Sequence, residues 1–139
     1  MLYDNNKAKL FFPLNLSNVL SINEFPGESK FCEILTNSST IYEDSIGDYD
    51  GEQIWVGKND NGLFYFFRNY GSCEYCDAYM ADFDNFSSMP DDNKIKFATE
   101  IYEDILFFTD TISMVEFFET THDFTDGNHL IKQMLDTIA

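Results

Sequence analysis

The chain has few basic residues and no long hydrophobic run. Its 139 residues include 8 Lys and Arg against 25 Asp and Glu, which gives a formal net charge of −17. A chain this acidic is repelled by nucleic acid and by anionic membranes, so neither is expected as a direct ligand. The apolar stretch from Leu10 to Leu20 is interrupted by Pro13 and by polar residues, so it fits neither a secretory leader nor a membrane span.

Cysteines are also few. The three of them are Cys32, Cys73 and Cys76, an odd number that excludes a complete disulfide framework. Without a secretory leader, reduced thiols in a cytoplasmic protein are the expectation.

Cys73 and Cys76 form a Cys-x-x-Cys pair, the spacing of half a zinc site or of a redox pair. Two further zinc ligands would have to come from Cys32, His122 and His129, and the two histidines are not at the usual spacing. The acids next to the pair raise the pKa of its thiols, which disfavours redox chemistry. Structural thiols and no cofactor are therefore expected, with a zinc-binding or redox module as an alternative.

Sequence patterns of catalysis are missing as well. There is no glycine-rich phosphate loop, and acids are so numerous that a pair of carboxylates says nothing about acid–base chemistry. Asp44, Asp48, Asp50 and Glu52 are of the type that binds calcium, but they lack the twelve-residue loop with a terminal glutamate. The sequence favours a binding protein over an enzyme.

Apolar residues, by contrast, are plentiful enough for one core. They make up 44% of the chain and include 15 Phe and 8 Tyr. This length predicts a single domain over 1–139. Within it, the sequence patterns described next predict a β-rich segment over 30–70 and a helical segment over 91–138.

Three strands are predicted in the first half. Two of them, rich in aromatic and β-branched residues, flank Asn59-Asp60-Asn61-Gly62, a turn sequence that tolerates positive φ, and so predict a hairpin. An acidic connection over 43–52 is expected before that hairpin. The predicted strands are 30–36, 53–58 and 63–68.

From residue 91 onward the apolar period lengthens to that of a helix. The main helix is predicted over 92–110, with an apolar side made of Ala98, Ile101, Tyr102, Ile105 and Phe108. Further helices are predicted over 75–83, 113–120 and 127–138, the last with Leu130, Ile131, Met134, Leu135 and Ile138 inward. The predicted fold is α+β, a small antiparallel sheet around the hairpin with the C-terminal helices on one face.

The distribution of charge is the strongest signal. Six acids and no Lys or Arg lie between Arg68 and Lys94, and eight acids and again no Lys or Arg lie between Lys96 and Lys132. Such segments repel themselves, so a positively charged protein partner is one explanation. The other is that these acids form solvated faces that keep the protein soluble.

On the main helix, Glu100, Glu103 and Asp104 share one side at i, i+3 and i+4 spacing. Phe107 projects onto the same acidic side, which is typical of an interface anchor, unless neighbouring helices cover it. The predicted partner-binding residues are Asp82, Asp84, Asp92, Glu100, Glu103, Asp104, Phe107, Asp110, Glu116 and Glu119.

Residues 48–80 resemble a pattern in small uncharacterised proteins of phages and bacterial mobile elements. The resemblance rests on Asp48-Tyr49-Asp50-Gly51, on the hairpin, and on Tyr70-Gly71-Ser72-Cys73-Glu74-Tyr75-Cys76-Asp77. It implies an origin and no activity.

In size, acidity and lack of catalytic motifs the chain is also similar in type to phage anti-defence proteins, including anti-CRISPR inhibitors that imitate DNA. That similarity implies a bacterial host cytoplasm and a basic partner, a CRISPR effector or another nuclease, whose nucleic-acid surface the chain would occupy. An immunity protein that neutralises a toxin nuclease would use the same electrostatics and is the alternative.

Overall fold

The structure is a computed structural model that describes residues 14–24, 26–46, 51–70, 86–121 and 129–138. Within these ranges the strands are β1 (Ser39–Ile46), β2 (Gly51–Asn59), β3 (Gly62–Tyr70) and β4 (Leu106–Phe108). The helices are α1 (Leu16–Leu20), α2 (Glu28–Thr36), α3 (Asp91–Asp104), α4 (Thr111–Thr121) and α5 (His129–Ile138), with a 3-10 turn at Phe86–Ser88. Among the described residues, every helix is too short or too polar to span a lipid bilayer.

The four strands form one antiparallel sheet in the order β1-β2-β3-β4. Its centre is the predicted hairpin, in which Asn59 pairs with Gly62 across a two-residue turn. The Oδ1 of Asn59 accepts hydrogen bonds from the backbone N–H of Asn61 at 2.8 Å and of Gly62 at 3.2 Å. The turn and the strand pairing confirm the predicted hairpin. The antiparallel sheet together with the helices confirms the α+β class.

Helices cover both faces of the sheet, not one as the sequence analysis expected. Side chains alternate along a strand, so Trp55 and Phe64 face one way while Ile54 and Tyr65 face the other. The first set packs in a core with α1, α2 and α3, and the second packs in a core with α4 and α5. Because both faces are buried at the centre of the sheet, apolar residues follow one another without a break over 54–56 in β2 and over 63–67 in β3.

The predicted strand over 30–36 is wrong, since this segment is the helix α2. Phe31, Cys32 and Leu35 are all buried on one side of it, at i, i+1 and i+4 spacing. Asn37 ends the helix in the left-handed region with φ 52°. A short apolar pattern fits either period, and packing on Phe86 and Phe97 favours the helix here.

The predicted acidic connection over 43–52 is also wrong where the structure describes it. Glu43 lies inside β1 opposite Trp55, and Glu52 lies at the start of β2 opposite Ile46. Residues 47–50 lie outside the described residues.

The main helix ends at Asp104, earlier than predicted, and the chain continues as the edge strand β4. Phe108 pairs with Leu63 and Leu106 pairs with Tyr65. The backbones approach so closely that a Cβ on Gly62 would stand 2.2 Å from the carbonyl oxygen of Phe108. Pairing with β3 therefore replaces the last predicted turns of the helix.

The last two predicted helices are confirmed as α4 and α5. On α5, the inward side predicted from the sequence is buried at Leu130, Ile131, Met134 and Leu135, while Ile138 packs at its margin. The predicted helix over 75–83 lies outside the described residues.

Candidate partner-binding surface

Seven of the predicted partner-binding residues have exposed side chains. They are Asp92, Glu100, Glu103, Asp104, Asp110, Glu116 and Glu119. Asp82 and Asp84 lie outside the described residues. The remaining residue, Phe107, is buried.

Phe107 is therefore not an interface anchor, and that prediction is wrong. Its side chain is 1% exposed, and its ring centroid lies 5.2 Å from that of Phe64. The helical projection assigned Phe107 to the acidic side, but in β4 the period is two. Phe107 consequently faces the core of α1, α2 and α3, and Phe108 faces the core of α4 and α5.

On α3, the exposed acids Glu100, Glu103 and Asp104 lie within the last five residues of the helix. The C-terminal end of a helix carries partial negative charge, so carboxylates are unfavourable there. Lys96 is exposed one turn before Glu100 and offsets part of this charge. We call Glu100, Glu103 and Asp104 the α3 row.

Asp92, in contrast, has a local role. It lies in the first turn of α3, where a carboxylate complements the positive end of the helix dipole.

On α4, the exposed acids Glu116 and Glu119 lie on the side that faces away from the core residues Met114 and Phe118. Asp110 precedes this helix, and its Oδ1 accepts the backbone N–H of Ser113 at 2.7 Å. Hydrogen bonds to Ser113 lower the pKa of Asp110, so this carboxylate both starts the helix and stays charged. We call Glu116 and Glu119, with Asp110, the α4 row.

The two rows lie on opposite sides of the sheet. Phe97 and Ile101 anchor α3 in the first core, whereas Met114 and Phe118 anchor α4 in the second. Both helices adjoin the edge strand β4, which connects them. The β4 edge thus lies between the two helices that carry the rows.

Cysteine chemistry is unsupported at the one cysteine that the structure describes. Burial, and then the nearby Glu28 and Glu33, raise the pKa of the Cys32 thiol. Cys32 thus packs as an apolar member of the first core. Cys73 and Cys76 lie outside the described residues, as do His122 and the side chain of His129.

A calcium site from the acids of 43–52 is unsupported as well. Asp44 lies in β1, where its Oδ1 accepts the backbone N–H of Ser45 at 2.8 Å, and Glu52 lies on the neighbouring strand. Asp48 and Asp50 are outside the described residues. Within the described part of the chain, no three His, Cys, Asp or Glu residues are grouped as a metal ion would require.

Two polar anchors of the first core escaped the sequence reasoning. The buried Lys94 donates from Nζ to the backbone carbonyl of Ile22 at 3.1 Å. Lys94 precedes Ala98 and Ile101 at i, i+4 and i+7 spacing, so the helical pattern places it on the apolar side of α3 and could have predicted its burial.

The second anchor is a chain of hydrogen bonds from the sheet to α2. The indole Nε1 of Trp55 donates to the Oγ1 of Thr40 at 2.7 Å. The hydroxyl and the backbone N–H of Thr40 both donate to Glu33, each at 2.9 Å. These bonds lower the pKa of Glu33. The sequence pattern gives no signal for these hydrogen bonds, because the segment of α2 was predicted as a strand.

The resemblance of residues 48–80 to phage proteins implies no activity and stays a prediction. Part of that segment, residues 48–50 and 71–80, also lies outside the described residues. The partner surface consequently rests on the charges and exposure of α3 and α4. Comparison of the chain with protein-family models, curated proteins and solved structures finds no match in any of the three.

Proposed function

We propose that the chain is an acidic binding protein that inhibits a nucleic-acid-processing enzyme by occupying its basic surface as a DNA mimic. A CRISPR effector of the bacterial host is the partner class that we propose first. The observation that carries this proposal is the exposure of the α3 and α4 rows in a segment, 97–131, that contains no Lys or Arg.

The placement of the α3 row supports a role outside the fold. Glu103 and Asp104 end a helix whose last turn contains no basic residue, and carboxylates are unfavourable at this end of the helix dipole. A basic partner would compensate both the helix end and the repulsion within the row.

The division of the acids into two rows also supports mimicry of a duplex. Double-stranded DNA presents two strands of phosphates, and a groove that binds it carries basic residues for both. The α3 and α4 rows flank the β4 edge from two sides, so a groove that receives this edge would meet both rows.

The first test is a plasmid-interference assay in bacterial strains that each carry one type of CRISPR–Cas system. Expression of the chain should restore transformation by a targeted plasmid in at least one strain. The restored strain's effector, purified, should bind the chain in competition with duplex DNA, with an affinity that falls steeply as salt rises. Failure in every strain would contradict a CRISPR partner, and binding that DNA does not displace would contradict mimicry.

The second test reverses the α3 row. Changing Glu100, Glu103 and Asp104 to Lys should abolish inhibition while the melting temperature stays the same or rises, since self-repulsion falls. The matched control changes Glu24, Asp60 and Asp136 to Lys, three exposed acids outside both rows, with the same change in net charge. If the control loses inhibition equally, the effect is one of net charge and not of this surface.

A further inference from the structure

Ile112 is the most exposed large hydrophobic residue that the structure describes. Its side chain is 71% exposed, against 43% for Ile41 and 42% for Leu16. It is the second residue of α4. Single exposed aliphatic residues are common on protein surfaces, so what distinguishes Ile112 is its charged surroundings.

Ile112 lies within the α4 row. Glu116 and Glu119 follow it at i+4 and i+7, so they lie on the same side of the helix, and all three side chains are exposed. Asp110, also exposed, stands two residues before Ile112. The outward side of α4 thus carries one aliphatic residue with two carboxylates on the same side, and a third carboxylate precedes the helix.

We propose that this side of α4 is the docking surface for a basic protein patch in which Lys and Arg surround an apolar pocket that receives Ile112. The inference rests on the proposed function and names the part of the surface that makes the central contact. Interfaces commonly combine a buried apolar anchor with a charged rim that steers encounter. Charge complementarity identifies the occupant, since 97–131 contains no Lys or Arg of its own.

A second copy of the chain does not fit this surface. A two-fold dimer would place the same patch on both subunits, so the carboxylates of Asp110, Glu116 and Glu119 would face their own copies. The α3 row is a weaker candidate for the central contact. Its helix exposes no large hydrophobic side chain and includes the exposed Lys96.

The experiment uses two lysine-rich synthetic peptides of equal length and charge as probes. One carries leucines along one side, and in the other these leucines are replaced by serines. At about 0.15 M salt the leucine peptide should bind the wild type roughly tenfold more tightly, because only it can bury Ile112.

The variant Ile112→Ser should bind both peptides alike, with an unchanged melting temperature because the side chain is exposed. The control Ile41→Ser, on β1, should keep the preference for the leucine peptide. A preference retained in Ile112→Ser, or absent from the wild type, would overturn the docking surface.

The outcomes separate this inference from the proposed function. Equal, steeply salt-dependent binding of both peptides to the wild type would overturn the role of Ile112 and leave a charge-based inhibitor standing. If neither peptide binds the wild type, both the docking surface at Ile112 and the proposed function are contradicted. A wild-type dimer in analytical ultracentrifugation that Ile112→Ser dissociates would overturn the basic partner and assign this side to self-association.

Discussion

The two cores on either side of the sheet are built differently. Among the described residues, the core of α1, α2 and α3 contains seven buried aromatic residues: Phe31, Trp55, Phe64, Phe66, Phe86, Phe97 and Phe107. The core of α4 and α5 contains three, Tyr65, Phe108 and Phe118, and its other buried residues are aliphatic or methionine, with Tyr42, Phe67 and Phe117 half-buried at its margin. Rigid rings leave few alternative packings, whereas methionine adapts to irregular gaps.

Polar anchors add to this difference. Lys94 joins α3 to the segment after α1, and Glu33 joins α2 to Thr40 and Trp55 of the sheet. The bond of Lys94 is buried and those of Glu33, Thr40 and Trp55 are half-buried, so breaking them leaves polar groups poorly satisfied, which favours one arrangement. The first core is therefore specified by geometry, and the second is held chiefly by apolar burial.

The largest expected effect comes from deleting one ring in each core. Phe31→Ala should cost about 5 kcal/mol and Phe118→Ala about 3 kcal/mol of the free energy of unfolding, within the range for such truncations. Both truncations remove ring contacts, with Phe86 and Phe97 for Phe31 and with Tyr65, Phe108 and Phe117 for Phe118. Within the described part of the chain, only the core of Phe118 contains buried methionines, Met114 and Met134, that can relax into the cavity. Urea unfolding of both variants measures the difference. Equal losses, or a larger loss for Phe118→Ala, would remove the contrast in rigidity.

The next effect concerns Lys94. Lys94→Met keeps an unbranched side chain, one atom shorter, but removes the donor to the carbonyl of Ile22 and the cation that lies 5.3 Å from the ring centroid of Phe86. We expect a loss of about 2 kcal/mol. Hydrogen exchange should increase at Val19 and Ile22, since the segment after α1 loses its tie to α3. Lys96→Met, at an exposed position of the same helix, is the control and should change stability by no more than about 0.5 kcal/mol. Indistinguishable variants would show that Lys94 is not an anchor.

The smallest effect is pH-dependent. Glu33→Gln weakens the two hydrogen bonds from Thr40 and should cost about 1 kcal/mol at neutral pH. The pKa of Glu33 is lowered in the folded protein, so its contribution is present above the ordinary value of 4.5 and is lost as the pH falls through the lowered folded value. The stability difference between wild type and variant should therefore shrink below that value.

Chemical unfolding at a series of pH values measures that difference. Glu100→Gln, at an exposed position of α3, controls for the loss of one charge. A difference that does not change with pH would assign the effect of Glu33→Gln to shape and not to ionisation.

An element of this fold could be predicted from the sequence when the residues that determine it lie close together in the chain. The hairpin was predictable because Asn59 and Gly62 make its turn by themselves. The inward side of α5 was predictable because its apolar residues repeat at helical spacing over ten residues. Exposure of Glu100, Glu103, Glu116 and Glu119 followed from charge alone.

Elements with short apolar patterns were not predictable. Phe31 and Leu35 fit a strand or a helix in isolation, and contacts with Phe86 and Phe97 decide for the helix. A longer α3 would place Phe107 on its acidic side, yet pairing of β4 with β3 turns Phe107 into the first core. In both cases the free energy that decides comes from residues distant in the chain.

The candidate surface divides in the same way. The absence of Lys and Arg between Lys96 and Lys132 is a property of the sequence, and it is sufficient to expect exposed carboxylates. That the carboxylates form two rows on opposite sides of the sheet, and that Ile112 and not Phe107 is the exposed apolar residue beside them, was decided by the tertiary structure. The reason is that β4 lies between α3 and α4 and forms only by pairing with β3. The faces on which the two helices pack are therefore defined only when the sheet is formed.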